Sequence, residues 1–151
     1  MTQRLARDLV LAVEDAASRL GTLSEAEASL KTQPGVWSIK EIVGHLIDSA
    51  ANNHQRFVRA PQLAILEFPG YEQDRWVAVQ GYQQRPWLEL VDFWVRYNHQ
   101  LAETIRRVPE ASLEVTCRIG AGEPVTLGFL IQDYVAHLRH HLKQIDARRA
   151  T

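Results

Sequence analysis

An all-α fold, a four-helix bundle, is the architecture this sequence predicts. Four long stretches repeat apolar residues every three or four positions, each is bounded by a cap signal or a proline, and 151 residues suffice for one core without staples. The expected organisation is therefore one domain, 1–151, with an irregular crossover between the second and third long helices and a short hairpin before the fourth.

Each element has its own warrant. Leu5, Leu9, Ala12, Val13, Ala16 and Leu20 place a helix over roughly Thr2 to Leu20, with Gly21 as its C-terminal cap. Ser24 with Glu27 forms a capping box for a short turn, and Pro34-Gly35 punctuates the chain. The clearest start lies at Ser38, with Glu41 three residues on and Trp37 positioned to staple against Ile42. Ile39, Ile42, Val43, Leu46, Ile47, Ala50 and Phe57 continue that second long helix until Pro61. From Pro61 to Arg85 the pattern is irregular, but Tyr71, Trp76 and Tyr82 argue for a structured crossover with a helical turn over Asp74 to Val79. Pro86 suits the first position of the third long helix, carried by Leu90, Val91, Trp94, Tyr97, Leu101, Ile105 and Val108 and stopped by Pro109. Trp87 and Phe93 on that helix would either complete the core or bury in a dimer contact. A β-like run, Leu113 to Ile119, ends at Gly120-Ala121-Gly122. Thr126 then caps the last helix, whose Leu127, Leu130, Ile131, Tyr134, His137, Leu138, His141 and Ile145 share one side.

Bulk chemistry narrows the partners. With 17 basic and 18 acidic residues and a formal net charge of -1, no global field draws this chain to nucleic acid or anionic lipid. The absence of an apolar run of spanning length, and Asp8, Glu14 and Asp15 near the start, lead to the expectation of a cytoplasmic protein with no membrane partner. The single Cys117 excludes an intrachain disulfide, and without a base nearby in sequence it reads as a small apolar residue.

Three of the six histidines, His137, His140 and His141, crowd into the last helix. His137 and His141 lie one turn apart and project together, as two ligands of one ion would; His140 points elsewhere, toward a supporting or surface role. His45, on the edge of the second long helix's apolar stripe, is the candidate third donor. Three imidazoles leave a fourth position open, the catalytic rather than structural pattern for zinc; nickel or iron suits the same donors. The full divalent charge would favour an anionic fourth ligand such as hydroxide or thiolate. The competing reading is a solvated cluster at a helix C-terminus, where imidazolium is favoured by the helix dipole. His54 and His99 lack partners at ligand spacing and read as surface or satisfied core residues. Asp48 and Gln144, each three residues from a candidate ligand, are spaced to accept the other imidazole proton. Asp74 reaches the site only if the crossover folds over it. Asn53 and Arg56, further along the second long helix, are candidates either for lining a substrate groove or for an interhelical ion pair.

The stretches Gly35-Val36-Trp37-Ser38-Ile39-Lys40-Glu41-Ile42-Val43-Gly44-His45-Leu46-Ile47-Asp48 and His137-Leu138-Arg139-His140-His141-Leu142-Lys143-Gln144-Ile145, with Pro69-Gly70-Tyr71-Glu72-Gln73-Asp74-Arg75-Trp76 between them, resemble the DinB/YfiT-like superfamily over nearly the whole chain. The resemblance implies an up-down-down-up bundle and a zinc or nickel ion on His45, His137 and His141. It further implies a homodimer in many members, and transfer of a low-molecular-weight thiol to an electrophile, thiol-dependent isomerisation, or hydrolysis of a small-molecule substrate. The alternative function is a non-catalytic, metal-stabilised stress-response or ligand-binding module.

Overall fold

The structure, a computed structural model, describes residues 1–149. Its elements run α1 (Thr2–Leu20), α2 (Glu25–Ser29), α3 (Ile39–Arg59), β1 (Ile65–Phe68), α4 (Gln73–Gln80), α5 (Trp87–Arg107), β2 (Thr116–Ile119), β3 (Val125–Thr126) and α6 (Leu127–Arg149). The four long helices form the bundle: α1 and α3 each pack against α5 and α6 and face one another across the core, so helices consecutive in sequence are not all neighbours in space. Contacts near the helix ends give the directions. The Met1 amino group meets Glu110 at 2.9 Å and the Trp87 indole N–H donates to Leu20 O at 3.0 Å, so α1 runs against α5. Gln132 reaches Met1 while Arg19 pairs with Asp146 at 3.2 Å, so α1 and α6 run together. Phe57 packs on Tyr134 and His45 meets His137, so α3 runs against α6.

The starts of the elements follow local chemistry. Ser38 Oγ accepts from Glu41 N at 3.1 Å while Glu41 Oε2 accepts from Ser38 N at 2.9 Å, satisfying two amides that the helix leaves orphaned. Ser24 and Glu27 do the same for α2. Thr126 Oγ1 accepts from Phe129 N at 3.1 Å at the head of α6. Residues 42–50 of α3 are all buried, because α5, α6 and α4 pack around that part of the helix. Lys40, 2% exposed, pairs with Glu25, whose other oxygen accepts from Trp87 N at 2.8 Å; this ties α2 to the starts of α3 and α5. Trp87 is buried in this single chain, which answers the question its sequence position raised, whereas Phe93 stays half exposed.

Gly21 caps α1 as expected, in a right-handed conformation with φ −63°. Two local expectations are corrected. Pro86 sits one position before the helix, as N-cap rather than first helical residue. The crossover holds a strand the periodicity did not predict: β1 pairs in parallel with β2, Leu66 opposite Cys117, and β2 pairs antiparallel with β3 in the expected hairpin. Four residues are too few for alternation to stand out, and the pairing partner lies about fifty positions away. The small sheet packs near the C-terminal end of α3 and the N-terminal end of α6. The histidines occupy the opposite half of those two helices.

Candidate metal centre

The antiparallel packing of α3 on α6 brings the first half of one helix beside the second half of the other. His45 Nε2 lies 3.2 Å from His137 Nε2, which lies 3.1 Å from His141 Nε2. One nitrogen from each ring falls within 4.8 Å of the others. The three rings meet edge to face, with centroids 4.5 to 5.0 Å apart. His137 Nε2 presents either one proton or one lone pair, so its two short contacts cannot both be linear hydrogen bonds. A cation among the three nitrogens would satisfy every lone pair. Bonds of about 2.0–2.1 Å in a tetrahedral array space the donor nitrogens about 3.3 Å apart, close to the 3.2 and 3.1 Å that separate His137 Nε2 from the other two.

The electrostatics point the same way. Burial, with the neighbouring imidazoles adding to it, depresses His45 to a pKa of about 3 and His137 to about 4; His141 is lowered too, chiefly by burial. All three rings are therefore neutral near pH 7, with lone pairs free for a metal. A solvated imidazolium cluster would need the reverse shift. The residues fit a divalent ion.

Around the rings, His141 Nδ1 donates to Gln144 Oε1 at 2.7 Å, which leaves its Nε2 lone pair facing the other two histidines. Trp37 lies against the His45 ring, centroids 4.9 Å apart, and lines the same cleft as Ile42. His45 Nδ1 and His137 Nδ1 are buried with no hydrogen-bond acceptor among the described residues. Asp48, expected beside His45, instead accepts from Tyr82 Oη at 2.7 Å and Gln80 Nε2 at 3.0 Å through one oxygen, while its other oxygen has no partner among the described residues. Burial holds the Asp48 carboxyl above the ordinary range and pushes the Tyr82 phenol up. The Tyr82 ring reaches Asp48 by lying on Gly44, where a Cβ would sit 2.2 Å from it.

The cluster meets a cleft of about 560 Å³ through His141, which lines it with Val36, Trp37, Ile42, Asp74 and Gln144. That is within the usual range for small ligands, about 300–1,000 Å³. The crossover thus carries Asp74 to the mouth of the site, and with it Gln73, which sequence periodicity did not single out. Asn53 and Arg56 are buried further along α3, where Arg56 Nη1 donates weakly to Asn53 Oδ1 at 3.4 Å. His140 contacts Gln144 rather than the cluster centre. His54 bonds Tyr97 at 3.1 Å and His99 lies 3.5 Å from Glu14. Cys117 is buried in β2 and its thiol is pushed up by burial, in keeping with an apolar role.

The family profile described as the DinB superfamily matches residues 8–145. The chain belongs to the DinB superfamily. A curated relative of this DinB-superfamily chain, from Oceanobacillus iheyensis, bears a name that provisionally calls it a metal-dependent hydrolase; it is 24% identical over 137 residues, 88% of this chain and 79% of the relative. The solved structure of YfiT from Bacillus subtilis is described as "a probable metal-dependent hydrolase with an unusual four-helix bundle topology". It superposes with a TM-score of 0.84 at 16% identity, over 97% of this chain and 85% of YfiT, a likeness of fold.

Proposed function

We propose that this DinB-superfamily chain is a metal-dependent enzyme, hydrolytic in type, in which His45, His137 and His141 hold one divalent ion. The observation that carries the reading is the convergence of three neutral imidazoles, His45 buried and His137 and His141 partly so, at the edge of an open cleft. A divalent ion bound there supplies Lewis acidity, polarising a substrate carbonyl and acidifying water or a thiol that reaches the free position.

The chain's own residues do the rest. Gln144 holds His141 in the tautomer that directs Nε2 inward, and Trp37 limits rotation of the His45 ring. Val36, Trp37 and Ile42 form an apolar wall that orients a small organic substrate and excludes water from one side of it. To Asp74, a carboxylate lining the same cleft, we assign taking a proton from the attacking nucleophile and returning it to the leaving group. Zinc or nickel suits three imidazoles. The name of the Oceanobacillus iheyensis relative supports hydrolysis over thiol transfer, although a small thiol in the free position is compatible with the same cleft.

The test has two parts. Elemental analysis of the purified protein should find about one divalent ion per chain, and His137→Ala should lose it. Metal-dependent turnover should then appear across a panel of activated esters and amides, with and without an added small thiol. Metal content unchanged in His137→Ala would end this reading. Turnover that requires the thiol would move it to transfer, and metal without turnover would favour a binding module.

A further inference from the structure

We infer that the buried guanidinium of Arg56, with Asn53 and Tyr71 beside it, is a binding site for the carboxylate of a small-molecule ligand. Arg56 is 8% exposed, and its one hydrogen bond among the described residues, to Asn53, is long at 3.4 Å. Its Nε is buried without an acceptor, and no carboxylate lies within ion-pair distance of it among the described residues. Exposed arginines such as Arg75 and Arg96 have acidic partners; this buried one has the Asn53 amide oxygen and the face of the Phe68 ring, 5.7 Å away. A guanidinium stays charged and offers five donors, so burying its Nε without an acceptor is costly unless something anionic completes it. Burial accordingly weakens its hold on the proton.

Its position ties it to the cleft chemistry. His45, Ser49, Asn53 and Arg56 follow steps of four, four and three along α3 and so share a face, about 16 Å from end to end at 1.5 Å per residue. The arginine side chain leans back toward the helix start and shortens that span. Tyr71 interacts with Ser49 and lies within electrostatic reach of both Asp48 and Arg56; Asp133 lies within reach of both His137 and Arg56. These couplings link the histidine end of α3 to Arg56 along one helix face.

A carboxylate fits better than a phosphate. The groups acting on Arg56 are Tyr71, Cys117 and Asp133, with no second cation among them, and one planar guanidinium matches one planar carboxylate. The site stands on its own geometry; only the assignment of this carboxylate to the hydrolysed substrate rests on the metal-dependent reading.

The experiment is a calorimetric titration of chelator-treated and metal-loaded protein with benzoate, hexanoate and inorganic phosphate. Saturable carboxylate binding is expected in both states, at least tenfold tighter than phosphate, weakened tenfold or more by Arg56→Gln and less by Arg56→Lys, with metal content unchanged. Should Arg56→Gln fail to fold by circular dichroism, Tyr71→Phe and Asn53→Ala are each expected to weaken binding severalfold. Absent carboxylate binding, a preference for phosphate, or wild-type affinity in the folded Arg56 variant overturns the inference, as does wild-type affinity in both substitutes. Carboxylate binding in a protein that holds no metal would overturn the metal reading alone.

Discussion

At the scale of single residues, the site depends on keeping three imidazoles neutral and aimed. Gln144→Leu removes the acceptor of His141 Nδ1, and metal affinity should fall about 10–100-fold, read by competition with a chromophoric chelator. The same neutrality gives a pH dependence with a defined sign. Unfolded histidine titrates near 6.5, whereas folded His45 and His137 titrate at about 3 and about 4. Over that interval the unfolded chain binds protons that the folded chain refuses, so acid favours unfolding. The metal-stripped protein should keep the full contribution above about pH 6.5 and lose it progressively as pH falls toward 4. Urea unfolding at several pH values measures the slope, and His45→Gln should flatten it. Asp48, whose carboxyl is raised, contributes with the opposite sign at the acid end.

At the scale of elements, α3 decides the local architecture. Its capping box fixes where the helix begins, and that start sets which residues face α6. Gly44 lets the Tyr82 ring lie flat on the helix and reach Asp48, so the turn after α4 is anchored to the turn of α3 just past His45. Gly44→Ala puts a methyl group into that ring. The variant should lose about 1–3 kcal/mol by chemical denaturation, the usual cost of overpacking, despite alanine's better helix propensity. Tyr82→Phe, which keeps the ring and deletes the hydroxyl, should separate the steric part from the lost hydrogen bond.

At the scale of the whole molecule, a metal on these histidines would join helices whose ligands are 92 positions apart, since His45 and His137 come together only in the folded chain. An ion bound at a hundredfold excess over its Kd would stabilise the fold by about 2.7 kcal/mol. In a domain of this size that raises Tm by about 5–10 °C, lost on chelation and absent in His137→Ala. The long helices, both capping boxes and the spacing of His137 and His141 were legible in the sequence because they are local: periodicity, a serine three residues before a glutamate, one turn between two rings. The pairing of β1 with β2 was not legible, because neither short strand specifies a partner far along the chain. Nor were Tyr82 on Asp48 and the burial of Arg56 Nε without an acceptor, which depend on long-range packing around α3, or the contact of Trp37 with His45. What the sequence by itself determined is therefore the set of helices and the chemical type of the donors. Only the tertiary structure decided that α3 packs against α6 in opposite directions, and it is that packing which brings three partly or fully buried imidazoles together and keeps them neutral.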